Sequence, residues 1–284
     1  MNAPYDIEGL LEEVVTLPSL PDTVAGIMRL VNDPDCELSA VAKAISADPP
    51  LAIKTLRLVN AAYYGLRQKV VTIEHAVALL GIKVIKNLVF TATVFDIMKG
   101  EVDVFFRHSV SCGVVSQVFA TASGAVIAID SVEEAFLYGL LHDIGKVVFE
   151  EFLPEETAQV AQASAARQIP WHQAEREIIG IDHAELGARL AQNWKLPQGF
   201  VDAIAGHHDL KQCQDPQYHP LAALVGTADY VCGRCGLGAQ EAPVLDTPEA
   251  MWELSGLVKA DLPAVMNKVF EKLPSVDELM TSVG

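Results

Sequence analysis

The chain has 284 residues, enough to bury a large core in one domain or in two lobes, and we expect two lobes. Hydrophobic residues make up 51% of the sequence and charged residues 20%, which is typical of a folded protein and excludes a disordered one. The 37 acidic residues outnumber the 20 lysines and arginines and give a formal net charge of −17, which disfavours nucleic-acid and membrane partners. A phosphorylated ligand would therefore need a local positive centre, such as a bound metal ion.

The first residues, MNAPYDIEGLLEEVV, lack the basic start and apolar run of a signal peptide, and no stretch reaches about 18 uncharged apolar residues. We therefore expect a cytoplasmic protein. Its five cysteines are an odd number at irregular spacing, which indicates reduced thiols rather than a disulfide framework. Cys232 and Cys235 have the spacing of a redox or zinc half-site, but no second pair accompanies them, and we expect no thiol function there.

Apolar residues recur at three- and four-residue spacing through most of the chain, as in LSAVAKAI, LAIKTLRLV, VIKNLVFTATVF and SVSCGVVSQVFATA. This period predicts a nearly all-helical protein. Helix ends are predicted at Asp48-Pro49-Pro50, at Gly81 and at Gly100. Thr72 is the predicted N-cap of IEHAVALLG, and Gly81 would end that helix from just beyond its last residue.

The uneven distribution of histidines suggests where the lobes meet. Residues 1–100 form a run of short predicted helices with one histidine, whereas residues 101–245 contain seven of the eight. We therefore predict an N-terminal helical lobe over 1–100 and a second lobe over 101–245 that carries a site. Residues 246–284 are typical of two amphipathic helices that pack back on the lobes.

Five short stretches of the second lobe place residues of metal-ligand type in apolar helical surroundings. These residues are His108 in HSVSCGVV, His142 and Asp143 in GLLHDIGK, His183 in IDHAELGARL, His207 and His208 in IAGHHD, and Asp229 in VGTADYVC. Asp229 is the most informative of them, because Val225 and Ala228 at helical spacing predict that its face is buried, and an unpaired buried carboxylate is costly. The alternative is that each residue is a separately hydrogen-bonded polar group of the core.

Together the set offers five imidazoles and two carboxylates, enough for two divalent transition-metal ions. Iron or manganese is expected first, with nickel or zinc as alternatives. The sequence therefore predicts a dinuclear metal site in the second lobe.

The order of these residues resembles the ligand set of the HD superfamily, particularly the paired-histidine pattern of the HD-GYP phosphodiesterases. The first lobe, through LPSLPDTVAGIMRLVNDP, ISADPPLAIKTLRLVNAAYYG and TIEHAVALLG, resembles the HDOD family of HD-related output domains in bacterial signalling. The likeness extends from Thr16 to about Lys272. It implies an all-α, two-lobed HDOD fold whose second lobe is an HD-type helical bundle.

The HD resemblance also implies a role for each ligand. Asp143 would bridge the two ions, and a water or hydroxide would lie between them. Three further ligands would hold each ion, His108, His142 and Asp229 on the first and His183, His207 and His208 on the second. Such a centre polarises a phosphoryl group and lowers the pKa of the bound water. Lys146 would contact a phosphate as a point charge, or would be a solvated lysine at a helix end.

The two resemblances imply different activities. HDOD domains commonly have an incomplete ligand set and act as regulatory outputs, yet this sequence keeps every position of the two-metal set. Conversely, HHDLKQCQDPQYHP lacks the Gly-Tyr-Pro segment that defines the HD-GYP enzymes. Our first hypothesis is a signal-transduction output module that binds a signalling protein partner and that a phosphorylated small ligand could control. The alternatives are a metal-dependent phosphodiesterase or phosphohydrolase acting on a nucleotide or cyclic dinucleotide, and a structural scaffold with an empty site.

Overall fold

A computed structural model describes residues 22–31, 36–61, 64, 66, 68–97, 103–124, 127, 129, 132–237 and 249–283. Every regular element in these ranges is a helix, which confirms the all-α prediction. The predicted boundaries at Gly100 and after residue 245 lie outside the described residues, so the division into lobes stays a prediction. The buried hydrophobic residues of the described ranges form one continuous cluster from Val24 to Leu279.

The described part of the predicted first lobe contains four helices. They are α1 (Asp22–Val31), α2 (Leu38–Ser46), α3 (Pro49–Val59) and α4 (Ile73–Ile97). Asp48 accepts a hydrogen bond from the Leu51 backbone N–H at 3.1 Å, and proline occupies the first turn, so the Asp-Pro-Pro segment both ends α2 and starts α3. Its predicted role as a helix boundary is therefore confirmed.

Helix α4 begins as predicted and then continues further than predicted. Thr72 Oγ1 accepts a hydrogen bond from the His75 backbone N–H at 3.2 Å, which confirms the N-cap. Gly81 interrupts the helix with φ of 81° and ψ of 165°, but the chain resumes helical geometry at once and reaches Ile97. Glycine adopts this positive φ without steric penalty, so the segment is two helices joined at a kink rather than one helix followed by a loop.

Within the described chain, Ile73–Thr93 is the single helix long and apolar enough to cross a membrane by length and composition. In the structure 61% of that stretch is buried inside the protein. Lys86, in the middle of it, forms a buried ion pair with Glu134 at 2.8 Å. These features are typical of a helix in a protein core, and the cytoplasmic location stays a prediction.

The predicted second lobe contains eight α-helices in its described residues. They are α5 (Asp103–Ser123), α6 (Glu134–Leu141), α7 (Ile144–Phe152), α8 (Pro154–Arg167), α9 (Trp171–Ile178), α10 (His183–Asn193), α11 (Gln198–Gly206) and α12 (His219–Arg234). Two short 3₁₀ turns, Leu210–Gln212 and Pro216–Tyr218, connect α11 to α12. Helices α6 and α12 pack against each other and each packs against both α5 and α11, and α10 packs against α7 and α11.

The C-terminal residues form α13 (Glu249–Leu254), α14 (Leu262–Lys272) and α15 (Pro274–Val283). Helix α13 packs on α12, α14 packs on α5, and α15 contacts both α3 and α5. An ion pair between Arg107 of α5 and Asp277 of α15 adds to the last contact. The C-terminal segment therefore bridges helices from both predicted lobes.

Candidate metal centre

The candidate ligands lie on five neighbouring segments, most of them at helix ends. His142 and Asp143 occupy the turn between α6 and α7, and His183 is the first residue of α10. The paired histidines directly follow α11, and the other two ligands project from α5 and α12. Asp182 fixes the start of α10 because its side chain accepts a hydrogen bond from the Glu185 backbone N–H at 2.8 Å.

Two glycines allow these segments to approach closely. A Cβ at Gly145 would overlap the backbone carbonyl of His183, so α7 could not lie against the start of α10. A Cβ at Gly226 would likewise overlap the carbonyl of His207. Such a side chain would push α12 away from the end of α11. The local sequence thus places small residues where the ligand-bearing segments touch.

Asp143 lies at the middle of the cluster, and its two oxygens face opposite sides. Oδ2 is 3.5 Å from His108 Nε2 and 3.4 Å from His142 Nε2. Oδ1 is 3.1 Å from His183 Nε2 and 3.8 Å from His207 Nε2. This is the arrangement required of a carboxylate that bridges two cations.

The first group consists of His108, His142 and Asp229. Asp229 Oδ1 is 3.0 Å from His108 Nε2 and 3.7 Å from His142 Nε2. The structure therefore brings together the three residues that the HD resemblance assigns to the first ion.

The second group consists of His183, His207 and His208. His183 Nε2 is 2.9 Å from His208 Nε2 and 3.3 Å from His207 Nε2. Two imidazole nitrogens that share an ion at about 2.0–2.1 Å, with angles between 90° and the tetrahedral value, are about 2.9–3.4 Å apart. The observed spacing is therefore that of ligands around a common cation.

The outer nitrogen of four imidazoles is fixed by an acceptor. His108 Nδ1 donates to Leu237 O at 3.0 Å, and His142 Nδ1 donates to Gly139 O at 2.7 Å. His183 Nδ1 donates to Glu175 Oε2 at 2.6 Å, and His207 Nδ1 donates to Ile204 O at 2.6 Å. Because carbonyl and carboxylate oxygens can only accept, Nδ1 carries a proton in each ring and Nε2 faces the centre, where a cation would take its lone pair. Metal-binding histidines are oriented in this way.

The surroundings of the two carboxylates favour the ionised form, which is the form that binds a metal. Burial alone would raise the pKa of Asp143, but His142, Lys146 and His183 hold it well below its usual range. Burial likewise opposes ionisation of Asp229, whose pKa is lowered well below its usual range by the neighbouring His108 and His142 imidazoles. Both carboxylates are therefore ionised at neutral pH.

The histidines divide into two kinds. Burial lowers the pKa of His207 to about 3, with His142 and His183 as further causes, so its imidazole is neutral. For His183, burial alone would lower the pKa, but the Glu175 carboxylate, aided by Asp143, raises it to about 9. For His108, burial is again opposed, here by Asp229, and the pKa is raised to about 9. Protons on these two rings balance the carboxylates in the metal-free protein, and a cation would replace them.

Two buried atoms of the centre make no hydrogen bond within the described residues. They are His142 Nε2 and Asp143 Oδ1. Buried polar atoms nearly always have a partner, and these two instead face the other ligand atoms of their groups, His142 Nε2 in the first and Asp143 Oδ1 in the second. The nitrogen and oxygen donors, their spacing and these two atoms all fit bound divalent cations.

Lys146 lies against the same carboxylate. Its Nζ is 2.7 Å from Asp143 Oδ2, and the side chain is buried rather than solvated at a helix end. Burial alone would lower its pKa, but the carboxylates of Asp143, Asp229 and Glu175 raise it. Lys146 is therefore a fixed positive charge beside the predicted bridge.

Three residues of the site were not predicted from the sequence. Glu175 accepts from both the ring and the backbone N–H of His183, Cys112 lies beside His108, and His172 stacks on His208 with ring centroids 4.3 Å apart. The spacing of Glu175 from Ile178 and Ile179 gives it a partly apolar helical face, which is the available sequence signal.

A helical protein that presents an adjacent His-Asp pair and further histidines to one centre is of the HD type. The chain belongs to the HDOD family, since the sequence profile of the HDOD domain matches residues 17–210. An uncharacterised protein of Treponema pallidum (strain Nichols) is 30% identical over 225 residues, which are 78% of this chain and 43% of that protein. The chain thus spans less than half of this relative.

Solved structures support the same assignment. An HDOD domain protein of unknown function from Geobacter sulfurreducens is 27% identical and superposes with a TM-score of 0.79 over 96% of this chain and 99% of that one. A protein of Shewanella amazonensis SB2B, provisionally assigned as a phosphohydrolase, is 26% identical with a TM-score of 0.76 over 97% and 98% of the two chains.

Proposed function

We propose that this HDOD protein is a bacterial signal-transduction output module in which a dinuclear metal site controls the relative position of the two lobes and thereby the binding of a signalling protein partner. The observation that carries the proposal is the position of Asp143, whose two oxygens each face a different ligand group. An ion on each side of this carboxylate would fix the α6–α7 turn to four other segments.

Helix α6 provides a path from the site to the N-terminal helices. His142 and Asp143 follow its C-terminus, and at its N-terminus Glu134 forms the buried ion pair with Lys86 of α4. The side-chain amide of Asn87 donates a hydrogen bond to the carbonyl of Glu133, beside that ion pair. A helix of this length spans about 12 Å and moves as a rigid body, so a shift at the ligand end reaches α4.

Helix α5 provides a second path. Arg107, next to the ligand His108, pairs with Asp277 of α15, and α15 also contacts α3. A change at the first group therefore reaches the N-terminal helices through the C-terminal segment as well. These two connections favour a regulatory role, because each joins the site to the N-terminal helices.

A second candidate function is a metal-dependent phosphohydrolase acting on a nucleotide or cyclic dinucleotide. The complete ligand set and the buried Lys146 beside it favour this candidate, as does the likeness to the provisionally assigned phosphohydrolase. When bound, two cations would polarise a phosphoryl group and lower the pKa of a bound water. Asp143 would hold the shared position, Glu175 would orient His183, and Lys146 would supply a positive charge to the phosphate.

The phosphohydrolase is the second candidate because the segment after the paired histidines differs from that of the HD-GYP enzymes. In the HD-GYP enzymes that region carries Gly-Tyr-Pro, whereas here the side chain of Asp202 accepts hydrogen bonds from the backbone N–H groups of Gln214, at 2.6 Å, and Asp215, at 3.3 Å. The turn is thus built on a buried aspartate instead of a Gly-Tyr-Pro segment. Fast turnover requires a positioned substrate, and the resemblance supplies no positioning residues for this turn.

The test combines metal content with hydrogen exchange. The full chain, purified without chelators from cells supplied with iron and manganese, is expected to hold about two ions, as its two ligand groups indicate. Removing the ions should increase amide exchange in α4 and α6 as well as at the ligands. Identical exchange in α4 with and without metal would contradict the regulatory proposal.

A matched variant separates coupling from binding. Glu134→Gln breaks the ion pair with α4 but leaves every proposed ligand intact. We expect this variant to bind metal normally and to lose the metal-dependent change in α4. Hydrolysis of a cyclic dinucleotide at or above about 1 per second, abolished by both Asp143→Ala and His207→Ala, would instead establish the phosphohydrolase.

A further inference from the structure

A cysteine lies beside the first ligand group. Cys112 lies on α5 one turn after His108, is fully buried, and has its Sγ 3.5 Å from His108 Nε2. Its sulfur and the ligand atoms of His108, His142 and Asp229 all lie within 4.8 Å of one another. The sequence spacing of four residues places the imidazole and the thiol on the same face of the helix.

The sulfur–nitrogen distance suits a shared ion. A thiolate binds zinc at about 2.3 Å and an imidazole at about 2.0–2.1 Å, so two such ligands at the tetrahedral angle are about 3.6 Å apart. The observed distance is 3.5 Å. Cys112 is therefore as well placed for the first ion as the histidine beside it.

A second thiol supports the position of the first. Cys232 lies on α12 one turn after Asp229, and its thiol is a neighbour of the Cys112 thiol. Both sulfurs are fully buried. The pair of helices that supplies His108 and Asp229 thus also supplies a ligand-type sulfur and a neighbouring sulfur that can hold it in place.

We infer that Cys112 is a thiolate ligand of the first ion and that the two metal positions of this protein differ in chemistry. The inference rests on the proposed metal centre and deepens it. Cys112 would lose its proton to solvent as the metal–sulfur bond forms. A position with sulfur, nitrogen and oxygen ligands favours zinc or cobalt over manganese, whereas the second group offers nitrogen and oxygen donors.

Cobalt is the probe that tests this directly. The reduced full chain is loaded with Co(II), the bound cobalt is counted, and the near-ultraviolet spectrum is recorded. We expect a sulfur-to-cobalt charge-transfer band in the wild-type protein and in Cys232→Ala, and its loss in Cys112→Ala. The Cys232 variant is the matched control, because it removes a buried thiol from the same place without removing the proposed ligand.

The possible failures are distinguishable. Cobalt bound at normal stoichiometry without the band would overturn the Cys112 ligand and leave the metal centre intact, whereas no bound cobalt would overturn both. A band that persists in Cys112→Ala, or that is lost in Cys232→Ala, would assign the sulfur to another cysteine. If Cys112→Ala does not fold, the wild-type and Cys232→Ala spectra still decide whether a sulfur ligand is present.

Zinc competition provides a second readout. In wild-type protein exposed to equal zinc and manganese, we expect one zinc per chain to resist exchange. Cys112→Ala should lower the affinity for that zinc by more than the roughly 10–100-fold that follows loss of a residue that only hydrogen-bonds to a ligand. If both zinc ions of the wild type exchanged equally fast, the inference that the two metal positions differ in chemistry would be contradicted.

Discussion

Glu175 provides the sharpest test of how the second ligand group is held. Its Oε2 accepts hydrogen bonds from the His183 ring at 2.6 Å and from the His183 backbone N–H at 2.9 Å, and the carboxylate is buried. Glu175→Gln keeps the size and one acceptor oxygen but removes the negative charge that makes the imidazole a stronger ligand. We expect affinity for the second ion to fall about 10–100-fold, or about 1.4–2.7 kcal/mol, with the first ion unaffected.

The assay is a titration of metal-free protein with zinc in competition with a chromophoric chelator, which resolves the two ions. Glu177→Gln is the matched control, because Glu177 lies on the same helix but has a side chain 40% exposed and paired with Arg167. We expect that variant to bind both ions as the wild type does. Equal weakening of both ions by Glu175→Gln, or no weakening at all, would refute the reasoning that Glu175 acts through His183.

The remaining predictions concern the bridge, the helix packing and the charge. Asp143→Ala should lose both ions and Asp229→Ala only the first, as counted by elemental analysis; full metal in the Asp143 variant would show that the bridge is assigned wrongly. Gly145→Ala should lower the free energy of unfolding by about 1–3 kcal/mol in urea titrations, because its Cβ would overlap a backbone carbonyl at the start of α10. Gly26→Ala is the control, since its Cβ would meet no atom within 4 Å and removing a helical glycine should stabilise by about 0.5–1 kcal/mol. Glu134→Gln removes the carboxylate that faces the buried Lys86 and should lower the free energy of unfolding in the same titrations. Binding to duplex DNA at physiological salt should be undetectable by fluorescence anisotropy, given the net charge of −17, and salt-sensitive binding at micromolar protein would contradict this.

The helices and the ligand set were accessible from the sequence because both depend on local patterns. Apolar residues at three- and four-residue spacing predicted the helices, and Thr72 marked the start of α4 correctly. Gly81 was interpreted as a terminator because a glycine beyond the last apolar residue usually ends a helix. Only the backbone geometry shows that the chain resumes as a helix immediately after it.

The outer parts of the centre depend on tertiary packing and were missed for that reason. Glu175 lies in WHQAEREI, a stretch as polar as a surface helix, and its burial arises from the contact with α10. Cys112 lies within the apolar pattern of SVSCGVVSQVFATA, which indicates a buried helix and gives no sign of a ligand. Its place beside the first ligand group becomes visible when α12 brings Asp229 and Cys232 to the same side.

The five segments that meet at Asp143 have a consequence for the lifetime of the protein in the cell. Ions that bind the folded chain and not the unfolded one add to its stability by mass action, about 2.7 kcal/mol for each site when free metal is 100 times its dissociation constant. That amount is a large part of the net stability of an ordinary domain. With the proposed metal centre, metal starvation would therefore expose the chain to proteolysis, and the amount of this protein in the cell would follow the supply of the metal it binds.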